Sequence, residues 1–192
     1  NHSELRLRLG ADERAVHLRA EGPHNAQNAM GAVAVARTFG LEVDAVMAGL
    51  AAVSPAFGRG QSFTVDGRRV VLQLVKNPAG FRQCLRTLDT GAPAAAIVIA
   101  INDQYADGRD VSWLWDVDYE QLSGRTVICT GPRALDLGVR LEYAGVDHVV
   151  IEDLSDVFVC PLLQGRWDQP HPIDVLATYT PFQKLRRMGE HI

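Results

Sequence analysis

Apolar and polar residues alternate from Leu5 to Leu9 and again from Val16 to Leu18, with Gly10-Ala11-Asp12-Glu13 between the two runs. A period of two belongs to a half-buried strand, so this stretch predicts a hairpin with a slightly long turn. Gly22-Pro23-His24-Asn25 then punctuates the chain, and the period becomes helical. Ala26, Ala29, Met30, Val33 and Arg37 share one side of a helix expected to begin at His24 or Asn25 and to run to about Phe39, with Gly40 as its C-cap. A second helix is predicted over 43–53, with Glu42 and Asp44 at the positive end of its dipole. Ser54-Pro55-Ala56-Phe57-Gly58-Arg59-Gly60 interrupts both periods. That break suggests two domains, 1–57 and 58–192.

Beyond the break the pattern is of another kind. Ser62–Val65 and Arg69–Val75 predict a hairpin about Asp66-Gly67. Ala94–Ile101, Thr126–Cys129, Val146–Ile151 and Asp174–Thr178 then read as strands, the first of them apolar on both faces. Between and after them, Phe81, Cys84, Leu85 and Leu88 mark one helix, Arg133–Tyr143 a second and Pro181–Met188 a third. Val157–Leu163 is apolar but ambiguous. Continuous apolar strands alternating with helices imply a parallel sheet covered on both faces, a Rossmann-like α/β domain.

Composition removes several function classes. A net charge of -4 across 192 residues, with Lys and Arg scattered, argues against nucleic acid as a partner. No apolar run approaches a membrane span, and the first residues lack a secretory signal pattern. Cys84, Cys129 and Cys160 are far apart and odd in number, which suits buried thiols of a cytoplasmic protein rather than disulfides or a zinc site. The opening strand follows Asn1-His2-Ser3 directly, so the start reads as cut from something larger.

The candidate chemistry is concentrated where the apolar run to Ile101 empties into a loop carrying Asp103, Asp107, Asp110 and Asp116, with Trp113 and Trp115 between the last two. Open α/β sheets keep their ligands just beyond the carboxyl ends of the strands. Four carboxylates there repel one another and must stay hydrated or paired, so they do little for packing alone. Asp107-Gly108 suits a turn, and Asp110 suits the cap of a short helix over 111–115. No histidine accompanies the carboxylates, which weakens a metal reading, although hydrated Mg2+ would need only one or two of them. A single carboxylate can also orient a histidine as the third member of a nucleophile triad. This chain shows neither a nucleophile elbow nor a suggestive Cys-His pair, so the other members would come from another protein. On a loop, Trp113 and Trp115 suit an interface with such a partner.

Three further segments carry polar groups at helix starts or hinges. His24, Asn25 and Asn28 cluster on the opening of the first helix, either as a capped surface turn or as amides that meet the edge of a base such as adenine. Arg59 lies between two glycines, as a linker residue or as a guanidinium that reaches a phosphate while the glycines let two domains turn. Lys76 and Asn77 precede Pro78 at the first position of a helix, an Asn-capped turn or an anion site; a Walker A loop it is not. Near the end, Thr180 before Pro181 reads as an N-cap.

Gly22-Pro-His-Asn-Ala-Gln-Asn-Ala-Met-Gly-Ala, Gly58-Arg59 and Lys76-Asn-Pro-Ala-Gly-Phe together resemble the second half of the Mur ligase family. Ala100-Ile-Asn-Asp, Ala106-Asp-Gly-Arg-Asp-Val-Ser-Trp-Leu-Trp-Asp and Ala177-Thr-Tyr-Thr narrow the resemblance to the MurT-type subunits, which act with the glutamine amidotransferase GatD. The resemblance implies that 1–57 is the tail of a central ATPase domain, a hairpin plus two helices, and 58–192 a Rossmann-like C-terminal domain. It implies ATP and Mg2+ as cofactors of the full-length protein, and amidation of the D-glutamate α-carboxyl of the lipid II stem peptide through an acyl phosphate. It places Asn25 and Asn28 at the adenine with His24 nearby, Arg59 at the hinge, and Lys76 with Asn77 at the phosphates. It also puts an aspartate beside the Cys-His pair of the amidotransferase; Asp110 is the first choice, with Asp116 and Asp103 behind it. The family's phosphate-binding loop and four-cysteine zinc ribbon are absent from this sequence, so the chain alone is expected to be inactive. Competing readings are a docking domain without catalytic function, the end of another Mur or folylpolyglutamate-type ligase, and a small-molecule-binding Rossmann module without a partner.

Overall fold

The structure, a computed structural model, describes residues 3–9, 12–19, 23–53, 59–65, 68–88, 97–164 and 172–190. The chain gathers into two compact units, Asn1–Gly60 and Gln61–Ile192.

In the first unit β1 (Ser3–Leu9) and β2 (Asp12–Leu18) pair antiparallel, Leu5 opposite Val16 and Leu9 opposite Asp12. Asp12 and Glu13 therefore belong to the strand and not to the turn expected from their poor strand propensity. α1 (Pro23–Thr38) starts earlier than its side chains suggested, with Pro23 in the first turn, where its missing N–H costs nothing. Asn25 thus lies inside the helix and is not its cap. Gly40, at φ 72, ends it: the Gly40 N–H donates to the Arg37 carbonyl at 3.0 Å and the Leu41 N–H to the Ala36 carbonyl at 3.0 Å, a Schellman closure. α2 (Val43–Ala52) follows. Leu7, Val16 and Leu18 from the hairpin bury against Ala29, Val33 and Met47 from the helices.

The second unit is built on a sheet, of whose first strand only Arg59 and Gly60 fall in the first unit; its strands in chain order are β3 (Arg59–Val65), β4 (Arg68–Leu74), β5 (Ile97–Ala100), β6 (Val127–Thr130), β7 (His148–Val150) and β8 (Ile173–Ala177). Their spatial order is β3-β4-β8-β5-β6-β7, and every pair from β4 to β7 is parallel. The two predicted strands about Asp66-Gly67 are neighbours, while residues 66 and 67 lie outside the described part. Alternation within each strand divides the core. Ile97, Ile99, Val127, Cys129 and Leu176 face α3 (Pro78–Thr87) and α4 (Ala134–Tyr143), with Phe81, Leu85, Leu137 and Leu141 packed on them. Val98, Ala100, Ile128, Val175 and Ala177 face the other way, toward Leu154, Val157, Phe182 and Leu185. Those come from α5 (Leu154–Val157) and α7 (Tyr179–Glu190), with α6 (Pro161–Gln164) between. Each fully buried aliphatic side chain contributes about 1.5–3 kcal/mol of transfer free energy, and strands buried on both faces collect it twice per dipeptide. The ambiguous run 157–163 is thus resolved into helical turns, with Val157, Phe158 and Leu163 buried.

α3 shows its cap in full. The Asn77 side-chain oxygen accepts the Gly80 N–H at 2.8 Å, and Pro78 opens the helix. Asn77→Ala is expected to lower stability by about 1 kcal/mol, read as a lower urea midpoint with an unchanged slope. α7 departs from expectation: it begins at Tyr179, so Thr180 is no cap but a first-turn residue whose own N–H needs a partner.

Candidate functional site

The site lies along the carboxyl edge of the sheet. β8, β5 and β6 end together there: the Thr178 N–H donates to the Ala100 carbonyl at 3.0 Å, and the Ile101 N–H to the Thr130 carbonyl at 3.0 Å. Past Ile101 the chain leaves the sheet as the acidic loop. Asn102, only 3% exposed, donates its N–H to the Thr178 hydroxyl at 3.0 Å and its side-chain amide to Asp107 at 2.6 Å. The Asp107 carboxylate also accepts the Thr180 N–H, 3.1 and 3.2 Å from its two oxygens. Both the Asp107 and the Gly108 N–H groups close onto the Gln104 carbonyl, at 2.8 and 3.1 Å, which leaves Tyr105 at the tip with 97% of its surface exposed.

The aspartates of the loop are not equivalent. Asp103 is engaged by Arg133, with guanidinium nitrogens at 2.8 and 2.9 Å from one carboxylate oxygen. Arg133 is anchored in turn, its N–H on the Ile101 carbonyl at 3.2 Å. Asp110 is exposed, and its carboxylate accepts the Ser112 N–H at 2.8 Å. Hydrogen bonds from the Ser112 side chain and backbone hold its carboxyl below the usual carboxylate range, so it is an anion throughout the neutral range. Asp116 is exposed at the end of the short 3-10 helix Ser112–Asp116, whose N-cap position is Val111 with no side-chain cap bond, so Asp110 stands before the helix and is not the cap its spacing suggested.

That helix divides the two tryptophans. Trp113 turns inward, 6.2 Å from the Phe81 ring and packed against the core. Trp115 stays 53% exposed and meets the exposed Tyr143 edge-on at 5.5 Å. Only Trp115 is therefore placed as the free aromatic expected of both. Behind it sits a residue that the sequence reading passed over. Arg140 is 8% exposed, donates to the Val117 carbonyl at 2.8 Å and to Glu120 at 3.1 Å, and stands 5.9 Å from the Trp115 ring and 5.3 Å from that of Tyr119. Its position with Leu137 and Leu141 on the buried stripe of α4 was the available signal, since a charge on such a stripe must be paired.

The residues expected at a nucleotide divide between the two units. His24, Asn25 and Asn28 lie on the opening turns of α1, three and four positions apart and so along one face. Arg59 begins β3, and its side chain lies outside the described part. Lys76 is exposed just before α3. The Gly80 N–H there is already taken by Asn77 and Pro78 has none, so what remains for an anion is the Ala79 N–H and the Lys76 ammonium. That suits one phosphate oxygen and its counter-charge, not a wrapped triphosphate. Among the described residues no three His, Cys, Asp or Glu side chains are grouped to hold a metal, and no helix is long and apolar enough to cross a membrane. The three cysteines are buried and form no disulfide, and burial pushes the Cys129 thiol up to about 12.

A family model described as MurT ligase C-terminal matches residues 74–182, more than half of the chain. The chain belongs to the MurT ligase family. Over 148 residues it is 34% identical to the lipid II isoglutaminyl synthase (glutamine-hydrolyzing) subunit MurT of Staphylococcus aureus strain COL, covering 76% of this chain and 34% of that protein. The subunit of the same name from Streptococcus pneumoniae strain R6 is 28% identical over 186 residues, covering 95% of this chain and 41% of its own length. The chain thus spans roughly two fifths or less of these MurT relatives. A crystal structure of MurF from Acinetobacter baumannii superimposes with a TM-score of 0.73 at 19% identity, over 99% of this chain and 42% of that one, which shows the fold. The Rossmann-like α/β architecture read from the strand pattern is therefore the one found.

Proposed function

We propose that this chain is the C-terminal part of an ATP-dependent, glutamine-dependent amidating ligase subunit. Its reaction is conversion of the D-glutamate of the lipid II stem peptide to D-isoglutamine, with ammonia released from glutamine by a GatD-type amidotransferase. Asp110 carries the reading: an exposed, ionised carboxylate in the loop beyond β5, two residues before the short helix that bears the exposed Trp115, in a chain of the MurT ligase family. Against a Cys-His pair on the partner, such a carboxylate fixes the imidazole tautomer and stabilises the imidazolium that forms when the thiol is deprotonated. Asp103 serves this less well, because its charge is already spent on Arg133. Asp116 is accessible but holds no comparable hydrogen bond among the described residues.

ATP would supply the activation of the substrate carboxylate as an acyl phosphate. In this reading His24, Asn25 and Asn28 meet the adenine, Arg59 stands at the hinge, and Lys76 neutralises a phosphate oxygen beside the Ala79 N–H, with Asn77 holding that turn in shape. Mg2+ would be held chiefly by the phosphates, as its preference for retained water allows. The boundary between the ATPase tail and the C-terminal domain belongs to this proposal, as do the partner and a cytoplasmic site of action. The exposed Trp115 and Tyr143 favour one second reading, a docking domain that grips the amidotransferase without joining its chemistry.

The test is transfer of nitrogen. The full-length subunit, assembled with its amidotransferase and given lipid II, ATP and glutamine labelled with 15N at the amide, should place the label on the α-carboxyl carbon of the stem-peptide glutamate. Label that stays in free ammonium when ATP and lipid II are present would count against the proposal.

A further inference from the structure

We infer that Asp107 is a positioning residue, a clasp that fastens the loop bearing Asp110 to the start of α7. The inference rests on the role proposed for Asp110, three residues further on. Read alone, Asp107-Gly108 is a turn and Thr178-Tyr179-Thr180 a helix start. The structure joins them across 73 positions. One Asp107 oxygen takes the Asn102 amide at 2.6 Å, and both face the Thr180 N–H. The groups on either side are themselves fixed: Asn102 and Thr178 are 3% and 2% exposed and bonded to each other at 3.0 Å.

Three features make this a clasp and not an idle contact. Thr180 lies in the first turn of a twelve-residue helix, where N–H groups lack partners and the dipole favours an anion. The Asp107 and Gly108 N–H groups fold onto Gln104, so the loop turns about the clasped residue. Among the described residues Asp110 itself bonds to Ser112, on its own side of that turn; the packing of Trp113 and Leu114 fixes the chain after it, and Asp107 fastens the chain before it to the ends of β5 and β8. With its oxygens already facing donors of its own chain, Asp107 acts on the partner only through Asp110.

Glutamine hydrolysis by the full-length subunit assembled with its amidotransferase tests this in three variants. In Asp107→Asn the new side-chain oxygen still accepts the Thr180 N–H, and its amide donates to Asn102 once that side chain turns its oxygen round. Its kcat should stay within about threefold of the parent. Asp107→Ala should lose about 10- to 100-fold in kcat, with KM for glutamine within about twofold, because the glutamine site is on the partner and only the geometry is disturbed. Asp110→Asn should fall below both. An Asp107→Asn complex as inactive as Asp110→Asn would overturn the inference, because the charge itself would then be in use; so would an Asp107→Ala complex at the parental rate. Amide hydrogen exchange separates the clasp from the role of Asp110. In Asp107→Ala the Thr180 amide should exchange about tenfold faster, along with those of 103–110, and unchanged exchange overturns the clasp even where Asp110 proves essential. Should Asp107→Ala fail to fold, Asn102→Ala removes the side-chain donor alone. Because the Thr180 bond remains, it should show a smaller kcat loss than Asp107→Ala, about 3- to 10-fold at unchanged KM, and parental turnover there also overturns the clasp.

Discussion

An Asp110→Asn subunit, assembled with its amidotransferase, is expected to hydrolyse glutamine about 10²- to 10⁴-fold more slowly than the parent complex, with assembly unimpaired. The side-chain oxygen of asparagine can still accept the Ser112 N–H, so the short helix and the fold should survive. What disappears is the charge. An amide facing an imidazole N–H offers no anion for the imidazolium and can hold the ring in the wrong tautomer. Because Ser112 keeps the Asp110 carboxyl below the usual carboxylate range, Asp110 stays charged as pH falls from neutrality. The acid limb of the parent activity should therefore report another group. Glutamate release measured beside size-exclusion profiles checks both halves. An assembled Asp110→Asn complex that turns over glutamine at the parental rate discards the triad reading and leaves the docking reading standing. Asp116→Asn should be near-neutral by comparison. Asp103→Asn should act by loosening Arg133 and with it the turn after β6.

Gly131→Ala is expected to cost about 2–5 kcal/mol of stability, the largest loss from adding a single methyl group to any described glycine. Gly131 sits at φ 91, where side chains are strained, and an added Cβ would stand 2.6 Å from the Ile101 carbonyl oxygen. That oxygen belongs to backbone and cannot swing aside, since it accepts the Arg133 N–H at 3.2 Å. The strain falls on the junction between β5 and the turn into α4, so the Asp103–Arg133 pair should loosen as well. Urea unfolding of the variant reads the loss as a lower midpoint. Gly40→Ala and Gly108→Ala share a positive φ but meet nothing within 4 Å, and should cost less.

The second unit was legible where burial is local. Ile97–Ala100 and Val127–Thr130 are buried at every position, and a run that is apolar without alternation says so directly. Phe81, Cys84, Leu85 and Leu88 announced the inward face of α3 in the same way. Pairing order was not legible, because periodicity reports which face is buried and not which strand lies alongside. Nothing near Ile173–Ala177 tells that it enters between β4 and β5. At the site, the loop announced itself by composition, yet composition ranks four aspartates alike. What separates them is distant: Arg133 for Asp103 and Thr180 for Asp107, with Asp110 left only a neighbour two residues away. The start of α7 was misjudged for the same reason, its first-turn amide being served by a carboxylate that no local motif includes.

The placement of β8 has a consequence for biogenesis. As the polypeptide leaves the ribosome, β4 and β5 emerge well before the strand that must lie between them. Until Ile173–Ala177 arrives, the nascent domain holds two halves with open hydrogen-bonding edges facing one another, the kind of surface that invites aggregation or a chaperone. Insertion of β8 therefore comes late in synthesis, and it delivers Thr178 and Thr180 to the acidic loop together, so the bonds they make there form only when the sheet is whole.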